Sequence, residues 1–495
     1  MTLHHETPND RPADAAGILH AGAAWWASFL RMGEIGWTRA GGPAAIAAAQ
    51  AQRCDALLHF ARTHSAFYRD AWRDVPASRF SLANLPPVDR RALMARFDDW
   101  VTDPGVRRDD VLRFLADRSH IGERYLDRYA VWKSSGSSGE PGIYVQDEAA
   151  LSTCDALLAT QLQTAALAGP YAAGMVGMAG RAALVAATGD HYASIASWLR
   201  ARRNRPWSDA RAFSIMEPLP TLVAALNDYR PAFLGSYPTL LVLLAEERAA
   251  GRLEIAPSCL WSGGECLAAA TAHAIEAAFG CPVVNEYGAS ECMSIAFSCP
   301  AGALHVNADW VVLEPVDRDH RPTPPGERSD TVLLTHLANR VQPIIRYDLG
   351  DAVVASPTPC ACGSPLPAIR VEGRRDDIVT LVARDGRRVR LSPLALATVV
   401  EEACSVHRFQ IVQTAADRLA LRLPPAPPRA RRAEWRAAER ALRGYLAQQA
   451  LPDVDVVLDR SPPVVDARSG KLRGVDAGGG FAAHDPLLPD AGRRH

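Results

Sequence analysis

Lys133-Ser134-Ser135-Gly136-Ser137-Ser138-Gly139-Glu140-Pro141-Gly142 is the stretch around which the chain is organised. Small hydroxylated and turn-forming residues surround one acid, and a lysine leads in. Glycine admits positive φ, so successive backbone N–H groups can converge on one concavity, and the serine hydroxyls add donors. Such a turn can hold an anion, with polyphosphate the usual guest. It is not a Walker loop, because no Gly-Lys-Ser/Thr follows the glycines. A Gly/Ser turn can equally bind nothing, so its reading depends on what surrounds it.

Directly behind the loop, Asp147–Ala168 has the apolar spacing of a helix. Ala182–Thr188 then reads as a buried strand and Tyr192–Arg203 as a helix. The plan repeats. Thr221–Tyr229 is helical, Ala232–Pro238 is a strand running into a turn, and Thr239–Ala250 is a helix. Cys259–Glu265 leads to the helix Ala268–Phe279, and Val283–Glu286 is the next strand. Strands alternating with helices at this spacing predict a parallel sheet covered by helices, with ligands at the carboxyl ends of the strands. Upstream, Asp14–Arg39 and Ala44–Ser65 read as amphipathic helices, and Pro86–Trp100 as a turn and short helix.

After Cys299 the texture changes to short β segments: Val311–Pro315, Thr331–Thr335, Ile344–Tyr347 and Ala352–Ala355. A last region holds strands at Ile378–Val382, Phe409–Gln413, Leu419–Leu423 and Asp453–Leu458, with helices at Leu394–Ala403 and Arg429–Leu446. The expected fold is therefore α/β. A large N-terminal domain (1–373) carries a β sub-domain at about 299–372, a smaller mobile α+β C-terminal domain spans 374–475, and 476–495 is a loose tail.

Composition sets bounds. The chain has 495 residues, a net charge of −1 and 22% charged residues, so its overall balance gives no footing for nucleic acid or an acidic membrane. The Arg429–Arg443 run is interleaved with Glu434 and Glu439 and reads as a solvated helix face. Ala156–Gly180 lacks charge but is broken by glutamines, glycines and Pro170, which argues against a membrane span. Met1–Ala16 lacks the order of a signal peptide, and scattered cysteines suit a reducing cytoplasm. Of 54 basic residues only Lys133 and Lys471 are lysine, and both lie in Gly/Ser-rich loops. Where arginine otherwise serves, a retained lysine points to a need for a compact ammonium.

Cys299 and His305 are spaced C-x₅-H, and Cys360 and Cys362 form C-x-C before Gly363. Together they make a Cys₃His set suited to tetrahedral zinc; the alternative is four unconnected side chains in turns.

Four further motifs follow the Ser/Gly loop: Asn285-Glu286-Tyr287-Gly288-Ala289-Ser290-Glu291, Arg346-Tyr347-Asp348-Leu349-Gly350-Asp351, Gly373-Arg374-Arg375-Asp376-Asp377 and Ser469-Gly470-Lys471-Leu472-Arg473. In this order, from Trp132 to Arg473, the chain resembles the adenylate-forming ligases, most closely the phenylacetate–coenzyme A ligase branch. Gly189-Asp-His-Tyr192, Gly235-Ser-Tyr-Pro238 and Ser262-Gly-Gly-Glu-Cys-Leu267 also look like that branch, which has comparable Cys/His pairs.

The resemblance implies that Ser134, Ser135, Gly136, Ser137, Ser138 and Gly139 close on the β- and γ-phosphates of ATP, and that Tyr287 stacks on adenine. It implies that Glu286, Gly288, Ala289 and Ser290 frame the nucleotide. Glu291 would hold Mg²⁺, and Asp351 would take the ribose hydroxyls with Arg374 beside it. Asp376 would be the hinge, and Lys471 would reach the α-phosphate and the substrate carboxylate. His191, Tyr192, Tyr237, Gly263 and Gly264 would border the acyl pocket; for His191 and Tyr192 a packing role is the equal alternative. Zn²⁺ at Cys299, His305, Cys360 and Cys362 would be structural. One departure stands out: the family's loop carries a lysine before its proline, and here that position is Glu140. Lys133 is then expected to supply the missing charge.

The implied activity is ATP-dependent conversion of an aromatic or other apolar carboxylic acid to its acyl-adenylate, with transfer to coenzyme A. One alternative gives the acyl group to an amine or a carrier-protein thiol. A second is a zinc-stabilised nucleotide-binding protein without catalysis, which Glu140 favours and Lys471 opposes. A homodimer is left open.

Overall fold

The computed structural model describes residues 15–134, 142–167, 181–204, 209–371, 379–391, 393–404, 406, 409–464 and 474–477. Ser135 to Gly139, Glu140, Arg374, Asp376, Lys471 and the tail beyond 477 lie outside them, as do the side chains of 15–21, 24, 163–167 and 394.

The centre is a nine-stranded sheet. Its order is Val353–Ala355, Ala368–Val371, Leu304–Val306, Ala296–Ser298, Val283–Tyr287, Cys259–Gly263, Phe233–Ser236, Ala182–Ala186 and Ala210–Ser214. The five strands from Val283–Tyr287 to Ala210–Ser214 run parallel. Helices at Glu148–Leu167, Ala193–Arg203, Leu219–Tyr229, Pro238–Ala249 and Ala269–Phe279 alternate with them, as the sequence pattern predicts. The run Leu240–Ala245 is wholly buried, because the helix carrying it is covered on both sides.

The β region after Cys299 differs from expectation. Ala296–Ser298, Leu304–Val306, Ala368–Val371 and Val353–Ala355 continue the main sheet in antiparallel fashion. A separate sheet contains only Val311–Val316, Thr331–His336 and Tyr347–Asp348. The expected strand Ile344–Tyr347 is cut short because Arg346 takes φ 46°. Its backbone N–H bonds Thr335 Oγ1 at 3.0 Å and its guanidinium pairs with Glu314 at 3.2 Å, so side-chain partners hold a conformation that a strand would not allow.

Several elements went unread in the sequence, among them a hairpin and an edge strand. The hairpin Ala130–Lys133/Ile143–Gln146 flanks the Ser/Gly loop. The strand Ala210–Ser214 closes the parallel edge.

The C-terminal region is a four-stranded sheet ordered Asp455–Asp459, Arg418–Arg422, Gln410–Ala415, Val475–Asp476, with helices Pro393–Ala403 and Pro428–Gln448. The second helix buries Ala438, Leu442, Tyr445 and Leu446 and leaves its arginines outward, so the Arg-rich run is a solvated face. This region meets the rest through an Arg390–Glu246 ion pair, a bond from Gln449 Nε2 to the Met216 carbonyl at 3.1 Å, and Glu402 lying against Gly189. Among the described residues no helix is long and apolar enough to cross a membrane.

Candidate active site

The hairpin presents the Ser/Gly loop. Its mouth is closed twice over: Ser134 N–H donates to the Gly142 carbonyl at 2.9 Å, and Gly142 N–H donates to Ser134 Oγ at 2.8 Å. The loop therefore leaves and returns at one point. A Cβ on Gly142 would lie 2.3 Å from the Tyr144 hydroxyl, so a larger residue there would displace that phenol.

Tyr144 leads into the site. Its hydroxyl donates to Glu291 Oε1 at 2.5 Å, and the Tyr347 hydroxyl donates to the same oxygen at 2.7 Å. Burial, followed by the Glu291 charge, pushes both phenols well above the ordinary tyrosine range, so they stay protonated donors. Glu291 is buried, and among the described residues its Oε2 has no protein partner. One oxygen is fixed and the other is left for a cation, an arrangement that fits Mg²⁺. Tyr347 belongs to the Arg346–Asp351 motif, and Tyr144 lies just beyond the loop. Sequence reasoning gave neither a role, because nothing local marks a tyrosine as aimed at a residue 147 or 56 positions away.

The Asn285–Glu291 motif begins as a sheet strand and turns sharply at Gly288. A Cβ there would sit 1.8 Å from the Met293 carbonyl oxygen, so only glycine fits. Ala289 and Cys292 then exchange backbone bonds of 2.9 and 3.1 Å. The Ser290 carbonyl accepts the Trp132 indole N–H at 2.8 Å, which ties the motif to the strand entering the loop. The Tyr287 hydroxyl donates to Asp351 Oδ2 at 3.1 Å, so the two residues expected at adenine and ribose meet directly. Glu286 is buried and pushed up to about 7 by desolvation, with Ser294 Oγ at 2.7 Å and Trp261 Nε1 at 2.9 Å as its donors.

Lys133 is where the structure departs most from the sequence reading. Its ammonium sits 2.5 Å from Asp190 Oδ2 and faces Glu401 and Glu402 of the C-terminal region. Neighbouring side chains on a strand alternate, so Trp132 takes the side of Ser290 and Glu291 while Lys133 takes the side of Asp190. Beside the described end of the loop, Arg90 Nη1 donates to Ser134 Oγ at 3.3 Å.

His191 is fully buried. One ring nitrogen bonds the Asp117 carbonyl at 2.9 Å, the ring leans on Phe114, and among the described residues the buried Nδ1 has no partner. Tyr192 precedes the helix Ala193–Arg203, near Glu401, Glu402 and Asp190, while Tyr237 lies against Gly264 with its hydroxyl near Ser194 Oγ at 3.5 Å. Gly263 ends the strand beside them, next to the Trp261 ring.

The four metal candidates do converge. Ligand atoms of Cys299, His305, Cys360 and Cys362 all lie within 4.8 Å of one another. Sγ of Cys299 and Cys360 are 3.8 Å apart, too far for a disulfide and close to the edge of a tetrahedron around an ion with bonds of about 2.3 Å. His305 bonds the Leu366 carbonyl through Nδ1 at 2.9 Å, which leaves Nε2 facing Cys362 Sγ at 3.2 Å. All four sit at the antiparallel end of the main sheet.

No protein-family profile matches the chain. Protein CapK of Staphylococcus aureus is 27% identical over 139 residues, which is 28% of this chain and 29% of that protein, so the match spans under a third of that relative. Among solved structures, 2-hydroxyisobutyryl-CoA ligase in complex with 2-HIB-AMP and CoA aligns over 87% of this chain and 88% of its own, at 22% identity and a TM-score of 0.49. The amide bond synthetase McbA of Marinactinospora thermotolerans aligns over 69% and 67%, at 16% identity and a TM-score of 0.39.

Proposed function

We propose that the protein activates a carboxylic acid with ATP, releasing pyrophosphate and forming an acyl-adenylate, and then passes the acyl group to coenzyme A. The observation that carries this reading is that hydrogen bonds through Tyr144, Tyr347 and Trp132 link Glu291 and its motif to the Ser134/Gly142 loop mouth, with Tyr287 of the same motif bonded to Asp351. These groups lie far apart in sequence and belong to motifs shared, in order, with the adenylate-forming ligases.

In this reading Tyr287 and Asp351 hold the nucleoside and the loop's donors hold the phosphates. The substrate carboxylate attacks the α-phosphorus, the bond to the pyrophosphate oxygen breaks, and the charge growing on the leaving group meets preorganised donors. Mg²⁺ at Glu291 would neutralise phosphate charge. Lys471 would approach on the C-terminal domain for this step and be withdrawn for thiol attack by a rotation about Asp376. Zinc at the four Cys/His ligands would be structural, pinning the antiparallel end of the sheet. An apolar or aromatic acid is the proposed substrate, on the resemblance alone.

The test incubates purified protein with Mg·ATP and a panel of acids, with and without coenzyme A, and follows AMP and thioester by chromatography. AMP formed with an acid and accompanied by its thioester supports the reading. Acid-dependent AMP without thioester would move the acceptor to an amine or carrier protein. No acid-dependent AMP would remove the enzymatic reading.

A further inference from the structure

We propose that the exposed face of the helix Ala15–Ala40 is a dimer interface, on which two copies of this chain pair their helices antiparallel about a two-fold axis. The pairing is independent of the adenylation reading, and the failure of either leaves the other standing.

The helix is anchored along one side. Ile35 is fully buried in a cluster with Ala156 and Leu157 of the helix behind the Ser/Gly loop. Arg39 pairs with Asp309 at 3.0 Å, and the Arg31 guanidinium lies 4.5 Å from the centre of the Trp310 ring. On the opposite side Ala23, Trp26, Leu30, Gly33, Trp37 and Ala40 are all exposed. Their spacing alternates three and four residues, which sets them in one line along a helix, as in the seam of a coiled coil. Trp26 is 57% exposed, Leu30 67% and Trp37 86%, and Trp25 and Phe29 stack beside the line with ring centres 5.4 Å apart. Of the eight large apolar side chains exposed among the described residues, these five share one helix, which makes a patch rather than the scatter usual on a surface.

Several observations select a second copy as the occupant. The line is self-complementary. With the axis midway between Leu30 and Gly33, Leu30 of one copy faces Gly33 of the other, Trp26 faces Trp37 and Ala23 faces Ala40, so large meets small at the centre. Gly33 serves no contact within its own chain: a Cβ there would meet nothing within 4 Å, and glycine inside a helix is destabilising relative to alanine. A facing Leu30 gives that glycine a use. The area also suffices. At roughly 150–250 Å² for each aromatic side chain, the exposed fractions offer on the order of 600 Å² per copy, or about 1,200 Å² for the pair, the lower end of specific interfaces. Charge argues against a lipid surface, because Arg31 and Arg39 are turned onto Trp310 and Asp309 and the line carries no Lys or Arg for a headgroup. Glu34, beside the line, is paired with Arg31 and Arg53, so the two copies bring no unpaired acid together there.

The test is sedimentation equilibrium of the full-length protein over a concentration series. The wild type is expected to approach twice the chain mass of 53.3 kDa. Trp37→Glu is expected to raise the dissociation constant about thirtyfold or more, because it replaces an aromatic anchor by a charge facing the partner's ring. Leu30→Ala and Gly33→Leu should each weaken the dimer about tenfold, the first by emptying the centre and the second by overfilling it. The double variant Leu30→Ala/Gly33→Leu exchanges large and small across the same axis and should recover the dimer. All three positions are exposed in the single chain, so circular dichroism of the variants should match wild type. A wild type that stays monomeric at every concentration, a dimer unmoved by Trp37→Glu, or a double variant as weak as the single ones overturns the pairing. Monomer captured by phosphatidylcholine–phosphatidylglycerol vesicles, with no dimer in solution, overturns it in favour of a membrane surface.

Discussion

Two clusters of acid, one buried and one half-buried, flank the strand that enters the Ser/Gly loop, and they are built on opposite principles. On the Trp132 side, Glu291 receives two phenolic hydroxyls on one oxygen, and among the described residues it makes no ion pair. On the Lys133 side, Asp190, Glu401 and Glu402 crowd a single ammonium, with Arg118 beyond. The first leaves one carboxylate oxygen free of protein partners among the described residues, which suits the proposed Mg²⁺. The second has more acid than its lysine can neutralise, and burial pushes Glu401 up to about 8. Neutral donors orient a carboxylate without satisfying its charge, whereas surplus like charge makes a contact responsive to protons. We read the first as the site of chemistry and the second as the joint between the two domains.

The largest expected effect breaks the first cluster. Glu291→Gln keeps the tyrosine bonds but loses the charge, and should lower the rate of adenylation about a hundredfold or more, roughly 3 kcal/mol, with little change in melting temperature. A stable variant with wild-type rate would make Glu291 only a packing acid.

The Cys/His knot gives the contrast a control, since it lies at the other end of the sheet. Cys360→Ser should drop bound zinc from about one per chain and cost roughly 2 kcal/mol or more of stability. Metal analysis that finds no zinc in the wild-type protein would return these side chains to free thiols.

Tyr347→Phe sharpens the comparison by removing one of the two donors. A bond to a charged acceptor contributes about 1.5 kcal/mol, so the Mg²⁺ concentration needed for half-maximal rate should rise about tenfold, while excess Mg²⁺ restores the rate. A rate loss that Mg²⁺ does not restore would contradict a positioning role.

The smallest effect concerns the joint. Glu401 is raised above its unfolded value of 4.5 to about 8, so its stabilising contribution is complete below 4.5 and is lost as pH rises through about 8. Glu401→Gln should match wild type near pH 5 and exceed it by ~1 kcal/mol near pH 9, read as melting temperature against pH. Parallel curves for the two proteins would show that the acid is not buried in solution.

The alternation of helices and parallel strands was legible because each strand is a short apolar run and each helix buries a stripe, as in Pro238–Ala249. The antiparallel extension was not, because three-residue strands such as Ala296–Ser298 carry no period of their own and are defined by their partners. The Cys₃His set could be read from residue type and spacing alone. Lys133 was read for its scarcity, but its partner lies 57 positions on, and the strand's alternation sends it to the other face. Arg90 lies 44 positions before Ser134 in a two-turn helix with nothing to mark it among the other arginines. Residue type told which chemistry is present, and only the fold told which side chain faces it.

The most direct test of adenylation is ATP–pyrophosphate exchange measured across a panel of carboxylic acids with Mg²⁺ present and coenzyme A absent. The account predicts exchange that requires one of the acids and disappears without Mg²⁺. ATP binding with no exchange for any acid would contradict it.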